Sequence, residues 1–112
     1  MDRDCIFCKI INQETPAKII AQNDDVIVIE DITPKSQIHY LLIPKKHIKD
    51  IQSLQKNETQ VGAAIFDMAQ HISSNLHNGQ AFRLLMNNGA GVGQSVFHLH
   101  CHYLAGKKMF DF

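Results

Sequence analysis

Apolar and polar positions along this chain follow two periods, and the switches between them mark its elements. Val26 to Glu30 and Ile38 to Ile43 are short apolar runs that read as strands, the second strongly apolar. Lys18 to Gln22 lies before the first of them, across Asn23-Asp24-Asp25, three turn formers that predict a hairpin. Thr15-Pro16 breaks the chain upstream, and Pro44 closes the Ile38 run. Ala81 to Asn87 reads as a fourth strand and Val96 to Leu104 as a fifth. In the fifth, His98, His100 and His102 alternate with Leu99, Cys101 and Tyr103. Same-face residues of a strand lie about 6.6 Å apart. The alternation therefore predicts three imidazoles on one surface, with Leu99, Cys101 and Tyr103 packed beneath.

The period changes to that of a helix over Asn57 to Leu76. Val61, Ala64, Ile65, Met68, Ala69, Ile72 and Leu76 form one apolar stripe, and His71 and His77 fall outside it, toward solvent. Asn57 with Gln60 resembles a capping box, and Asn78-Gly79 supplies the stop. Cys5 to Asn12 has apolar residues at helical spacing and predicts a short N-terminal helix. The fold expected is α+β: an antiparallel sheet of about five strands, one long helix across a face, and the short N-terminal helix. At 112 residues the chain is expected to be a single domain, 1–112.

Composition narrows the function without naming it. Lys plus Arg number 11 and Asp plus Glu 11, so no basic surplus drives binding to nucleic acid. No segment approaches the roughly 18 consecutive apolar residues of a membrane span. The mixed-charge start is unlike a signal peptide, and three cysteines argue against a disulfide framework. The expected compartment is the cytoplasm.

Candidate chemistry sits in three places. Three alternating histidines suit proton transfer or nucleophilic attack at neutral pH. A metal held by the triad alone fits poorly, because zinc keeps two ligand nitrogens within about 3.5 Å. Cys5-x-x-Cys8 reads alone as a redox pair, half a zinc site, or two small buried residues; zinc needs two more ligands, with His47 and a late histidine available. The connection before the triad holds Gly89, Gly91 and Gly93 but fits neither a P-loop nor Gly-x-Gly-x-x-Gly, position 94 being Gln. Glycine there lets backbone N–H groups approach an anion, as in a nest; an ordinary hairpin loop is the alternative.

His98-x-His100-x-His102, preceded by Asn87-Asn88-Gly89-Ala90-Gly91-Val92-Gly93-Gln94-Ser95, resembles the motif and phosphate loop of the histidine-triad nucleotide-binding superfamily. Asp31-Ile32-Thr33-Pro34, His39 and Pro44-Lys45-Lys46-His47-Ile48 match further blocks of its Hint branch in order and spacing, and Cys5-Ile6-Phe7-Cys8 opens the chain as in bacterial-type members. The resemblance implies a hydrolase of purine nucleoside phosphoramidates that forms a nucleotidyl-histidine and releases a nucleoside monophosphate. His100 would be the nucleophile and His102 the proton donor, with His39 and Ser95 assisting. Asp31 would hold the ribose, Ile6, Phe7, Ile10 and Ile32 the purine, and Asn87, Gly93 and Ser95 the phosphate. Ile29 stands where some relatives carry an aromatic residue. Cys5, Cys8, His47 and His98 would bind a structural zinc that the chemistry does not require. A homodimer with one continuous sheet is also implied. The short tail Met109-Phe110-Asp111-Phe112 lacks the Trp-Pro segment of eukaryotic Hint proteins, which leaves the leaving group open. Dinucleoside polyphosphate hydrolysis, as in the Fhit branch, and a non-catalytic nucleotide-binding module are the alternatives.

Overall fold

The computed structural model describes residues 4–106. Five antiparallel strands form one sheet: β1 (Ile19–Gln22), β2 (Val26–Glu30), β3 (Ile38–Pro44), β4 (Phe82–Leu85) and β5 (Cys101–Ala105), in the order β1-β2-β3-β5-β4. Helix α1 (Ile6–Ile11) lies against one face and α2 (Gln60–His71) against the other. The expected α+β architecture is the one observed.

Strand parity sorts the apolar residues into two cores. Val26, Val28, Leu42, Leu99, Cys101 and Tyr103 pack on the α2 stripe of Ile65, Met68, Ala69 and Ile72. Ile27, Ile29, Leu41 and Ile43 pack on Cys5, Phe7, Cys8 and Ile10 of the α1 segment. The sheet is thus buried centrally on both faces, which is why β2 and β3 read as continuous apolar runs rather than alternating ones.

Several boundaries differ from expectation, each for a local reason. The fifth strand begins at Cys101, not Val96. The carbonyl of His98 accepts from the ring of His100, and the Leu99 N–H donates to Ile48 O, so neither group is free for a ladder. The fourth strand covers Phe82–Leu85 rather than Ala81 to Asn87. The long helix is regular only over Gln60–His71; a 3₁₀ turn, Lys56–Glu58, precedes it and a π turn, Ile72–Leu76, follows. The N-terminal cap is made by Glu58, whose carboxylate accepts from the Gln55 N–H at 2.8 Å, and not by Asn57 with Gln60. Asn78 and Gly79, at φ 54° and 75°, end the helical run as expected. His71 is exposed, but His77 is part-buried against Tyr40, whose hydroxyl lies 3.1 Å from His77 Nε2. The short tail, Met109 to Phe112, lies outside the described residues.

Candidate active site

The register of β3 against β5 sets His39 opposite Leu104 and His102 opposite Leu41. Both histidines face α1, and as diagonal neighbours they are within reach of each other. His39 Nε2 and His102 Nδ1 are 2.8 Å apart. The Lys35 backbone N–H donates to His39 Nδ1 at 3.0 Å, so a neutral His39 carries its proton on Nε2. That proton is donated to His102 Nδ1, which leaves neutral His102 protonated on Nε2. A single backbone amide therefore sets the tautomers of two histidines in series. Asp31 Oδ2 lies 3.4 Å from the same His39 nitrogen, and its Oδ1 accepts from Thr33 N–H at 2.8 Å.

His100 has the opposite tautomer. Its Nδ1 donates to the His98 carbonyl at 2.7 Å, so the lone pair stands on Nε2. The rings of His100 and His102 are 5.3 Å apart, and Phe7 packs edge-on against His100 at 5.0 Å. Burial pushes the His102 pKa down to about 4, helped by His100 and His39, and burial also lowers His100 and His39. In the free site these rings are neutral at pH 7. The protonated neighbour expected beside the nucleophile is thus not the resting state, because desolvation outweighs the attraction of Asp31.

Ligand atoms of Asp31, His39 and His102 lie within 4.8 Å of one another, the spacing of a metal trio. The Lys35 N–H opposes that use. A metal on His39 Nε2 requires a proton on Nδ1, which already accepts a hydrogen bond. Lys35 N–H, His39 and His102 make a hydrogen-bond relay instead, with Asp31 Oδ2 beside the same His39 nitrogen that meets His102.

Cys5, Cys8, His47 and His98 form a second cluster, also within 4.8 Å. His98 Nδ1 is 3.3 Å from Cys5 Sγ, 3.5 Å from Cys8 Sγ and 3.1 Å from His47 Nδ1, and Cys8 Sγ is 3.2 Å from His47 Nδ1. His98 Nε2 donates to the Pro44 carbonyl at 2.7 Å, which leaves Nδ1 as the free lone pair pointing at the two sulfurs. Tetrahedral coordination with bonds of about 2.1 Å to nitrogen and 2.3 Å to sulfur places ligand atoms about 3.4–3.8 Å apart. Two thiols and two imidazoles at nearly that spacing fit a divalent metal. Cys5, at the N-cap of α1, and Cys8, one turn on, supply the sulfurs because helical pitch puts both on one side.

Two clefts meet at Asp31. One, of about 310 Å³, is walled by Ile6, Phe7, Ile10, Ile29, Ile32 and Leu41 and reaches Asp31. Ile32 is 96% exposed and Ile6 39%, so this apolar wall is uncovered. The other, of about 430 Å³, is lined by Asp31, Lys35, His39, Asn87 and His102. Gly93 has φ 104°, a conformation L side chains rarely adopt, and the Cβ it lacks would stand 4.0 Å from Asn87 Nδ2. Ser95 is not brought to these clefts. It lines a separate one with Asp4, Cys5, His47 and Phe97. Two contributors escaped sequence reasoning. Lys35 acts through its main chain, which leaves no side-chain signal. Gln94 is buried beneath the glycine-rich loop, and a glutamine in such a loop carries no sign of that burial in the sequence.

Known proteins give the arrangement a family. The model described as scavenger mRNA decapping enzyme C-term binding matches residues 4–112. An uncharacterized HIT-like protein of Synechocystis is 39% identical over 107 residues, covering 96% of this chain and 94% of that protein. A histidine triad protein from Clostridium difficile superposes with a TM-score of 0.93 at 35% identity, covering 100% of this chain and 98% of the other. A HIT family hydrolase from Clostridium thermocellum gives 0.92 at 36% identity with the same coverage. Matched by the family model over residues 4–112, and by relatives and solved structures along nearly the whole chain, this protein belongs to the histidine-triad (HIT) family.

Proposed function

We propose that this chain, acting as a single domain, is a Hint-type hydrolase of purine nucleoside phosphoramidates or acyl-nucleotidates. The supporting observation is the opposed tautomers of His100 and His102: one offers a lone pair at Nε2, the other a proton at Nε2, on one face of the sheet. The apolar cleft beside α1 receives the purine, Asp31 accepts from the ribose hydroxyls, and the phosphate sits toward His102 and Asn87.

His100 Nε2 attacks the α-phosphorus in line as the bond to the leaving group breaks, giving a nucleotidyl-histidine. The Nε2 proton of His102 passes to the leaving nitrogen as the P–N bond breaks, and the water that later attacks phosphorus returns a proton to it. His39 holds the His102 tautomer through the relay. Water then attacks phosphorus, releases the nucleoside monophosphate and returns His100 to its starting form.

We assign the Cys5, Cys8, His47 and His98 cluster to a structural zinc, which would cross-link α1 to the triad segment and take no part in bond breaking. The exposed edge of β4, beside Phe66 (68% exposed) and Leu84 (36% exposed), is the surface we assign to a homodimer with a continuous sheet. Among the described residues no helix is long and apolar enough to cross a membrane, and no disulfide joins the three cysteines. With the neutral net charge, these features support a cytoplasmic protein whose ligand is a small nucleotide rather than nucleic acid.

Gln94-Ser95 and the Pro44-Lys45-Lys46-His47 block support Hint-type chemistry over dinucleoside polyphosphate hydrolysis. Release of AMP from adenosine 5′-phosphoramidate, compared between wild type and His100→Ala, tests the reading. The variant loses turnover and keeps AMP binding. A wild type that binds AMP without turnover would point to a binding module.

A further inference from the structure

The glycine loop is held by a side chain that has no part in the chemistry above. Gln94 is 4% exposed and uses both ends of its amide inside the protein. Its Oε1 accepts from the Gly89 N–H at 2.7 Å. Its Nε2 donates to the carbonyls of Lys49 at 2.8 Å and Val96 at 3.1 Å. The Gln94 backbone N–H returns to Gly89 O at 3.1 Å. The side chain thus clamps the loop at both ends and fixes it to the connector that follows β3.

The same connector holds the start of the triad. Leu99 N–H donates to Ile48 O at 2.6 Å, and Ile51 N–H donates to Asn88 Oδ1 at 2.9 Å. Residues 48–51 are therefore a common base for the loop and the histidines, and Gln94 is the side chain that registers one against the other. Such a clamp has a reason. Gly89 and Gly93 sit at φ 109° and 104°, and a glycine-rich backbone released from its bonds spreads over many conformations. An anion recognised by backbone N–H groups needs those groups converged before it arrives.

We propose that Gln94 is a positioning residue for phosphate: it never touches the substrate, and it holds the loop and Asn87 in register with His100 and His102. The proposal rests on the reading of this loop as the phosphate site. Base and ribose contacts come from α1 and Asp31, on separate segments, so they do not depend on the clamp.

Calorimetric titration with AMP and with adenosine, on wild type, Gln94→Met and Gln94→Glu, tests it. Methionine matches the length of glutamine and removes all three side-chain bonds. Glutamate keeps the acceptor for Gly89 but turns a carboxylate oxygen toward the Lys49 and Val96 carbonyls. Thermal melts show which variants fold, and one folded variant suffices. Losing two or three of these hydrogen bonds is expected to weaken AMP binding by about tenfold or more. Adenosine binding stays within about twofold, since a preserved base and ribose site leaves its bonds intact. Equal losses for AMP and adenosine would reduce Gln94 to general structural support and overturn the proposal, as would unchanged AMP affinity. A wild type that binds AMP no more tightly than adenosine would overturn the phosphate-loop reading itself, and this assignment with it.

Discussion

The main-chain oxygen of His98 accepts the Nδ1 proton of His100 at 2.7 Å, while the His98 ring faces Cys5 and Cys8. One residue therefore belongs to both clusters: its ring to the Cys5, Cys8 and His47 group, its carbonyl to the ring of His100. Whatever fixes the ring also fixes the orientation of His100.

Removing one sulfur tests the metal assignment. Cys8→Ser is expected to lose bound zinc, read by elemental analysis of the purified protein. It should also lower Tm, by about 4–8 °C for each kcal/mol lost in a domain of this size. Equal zinc content in the variant would refute the ligand set.

Asp31 lines both clefts and approaches His39 Nε2, which is the geometry behind its proposed assignment to the ribose. Asp31→Asn keeps the shape and removes the charge. KM for a ribonucleoside phosphoramidate should rise about tenfold, the worth of a charge-assisted hydrogen bond. A 2′,3′-dideoxy analogue should show little change between the two proteins, because it lacks the hydroxyls that Asp31 accepts from. Equal sensitivity of both substrates would remove Asp31 from the ribose site.

Burial also makes stability depend on pH. His102 titrates at about 4 when folded, against 6.5 when unfolded, and His39 is shifted in the same direction. Above pH 6.5 both states are neutral at His102 and the stabilisation is complete. Between 6.5 and about 4 the unfolded chain binds a proton that the folded chain refuses, so stability falls as pH falls and levels off below the folded value. Denaturant melts across roughly pH 7 to 4.5 should show this decline, and His102→Gln should make it shallower, the share of His39 and His100 remaining. An unchanged slope in the variant would contradict the assignment.

Phe66 and Leu84 stand exposed beside the β4 edge. Phe66→Asp should shift the mass measured by light scattering from two chains to one, since a buried unpaired charge opposes assembly. Wild type already monomeric at micromolar concentration would end the dimer assignment.

Much of this was legible in the residues because it depends on period and chemistry. β2 carries the bounds read from its apolar run, and the alternation after Phe97 did send Leu99, Cys101 and Tyr103 into one core and the histidines to the other face. What stayed hidden depends on the backbone. The Lys35 N–H that sets the relay tautomer has no residue-type signature, and Gln94 shows its purpose only once Lys49 and Gly89 are near it. The triad strand starts late because ring-to-backbone bonds at His98 and His100 replace the ladder, a competition that alternation cannot reveal. Ser95 follows the same rule. Position in the motif placed it with the phosphate, whereas the turn after Gln94 carries it to the cleft beside Cys5 and His47.

The most direct measurement is mass spectrometry of the protein quenched with acid-labile bonds preserved, during turnover of adenosine 5′-phosphoramidate, with peptide mapping of any adduct. An adenylyl group on His100, present in wild type and absent from His100→Ala, is the expected result. Turnover undiminished in His100→Ala, or an adduct mapped to another residue, would contradict nucleophilic attack by His100.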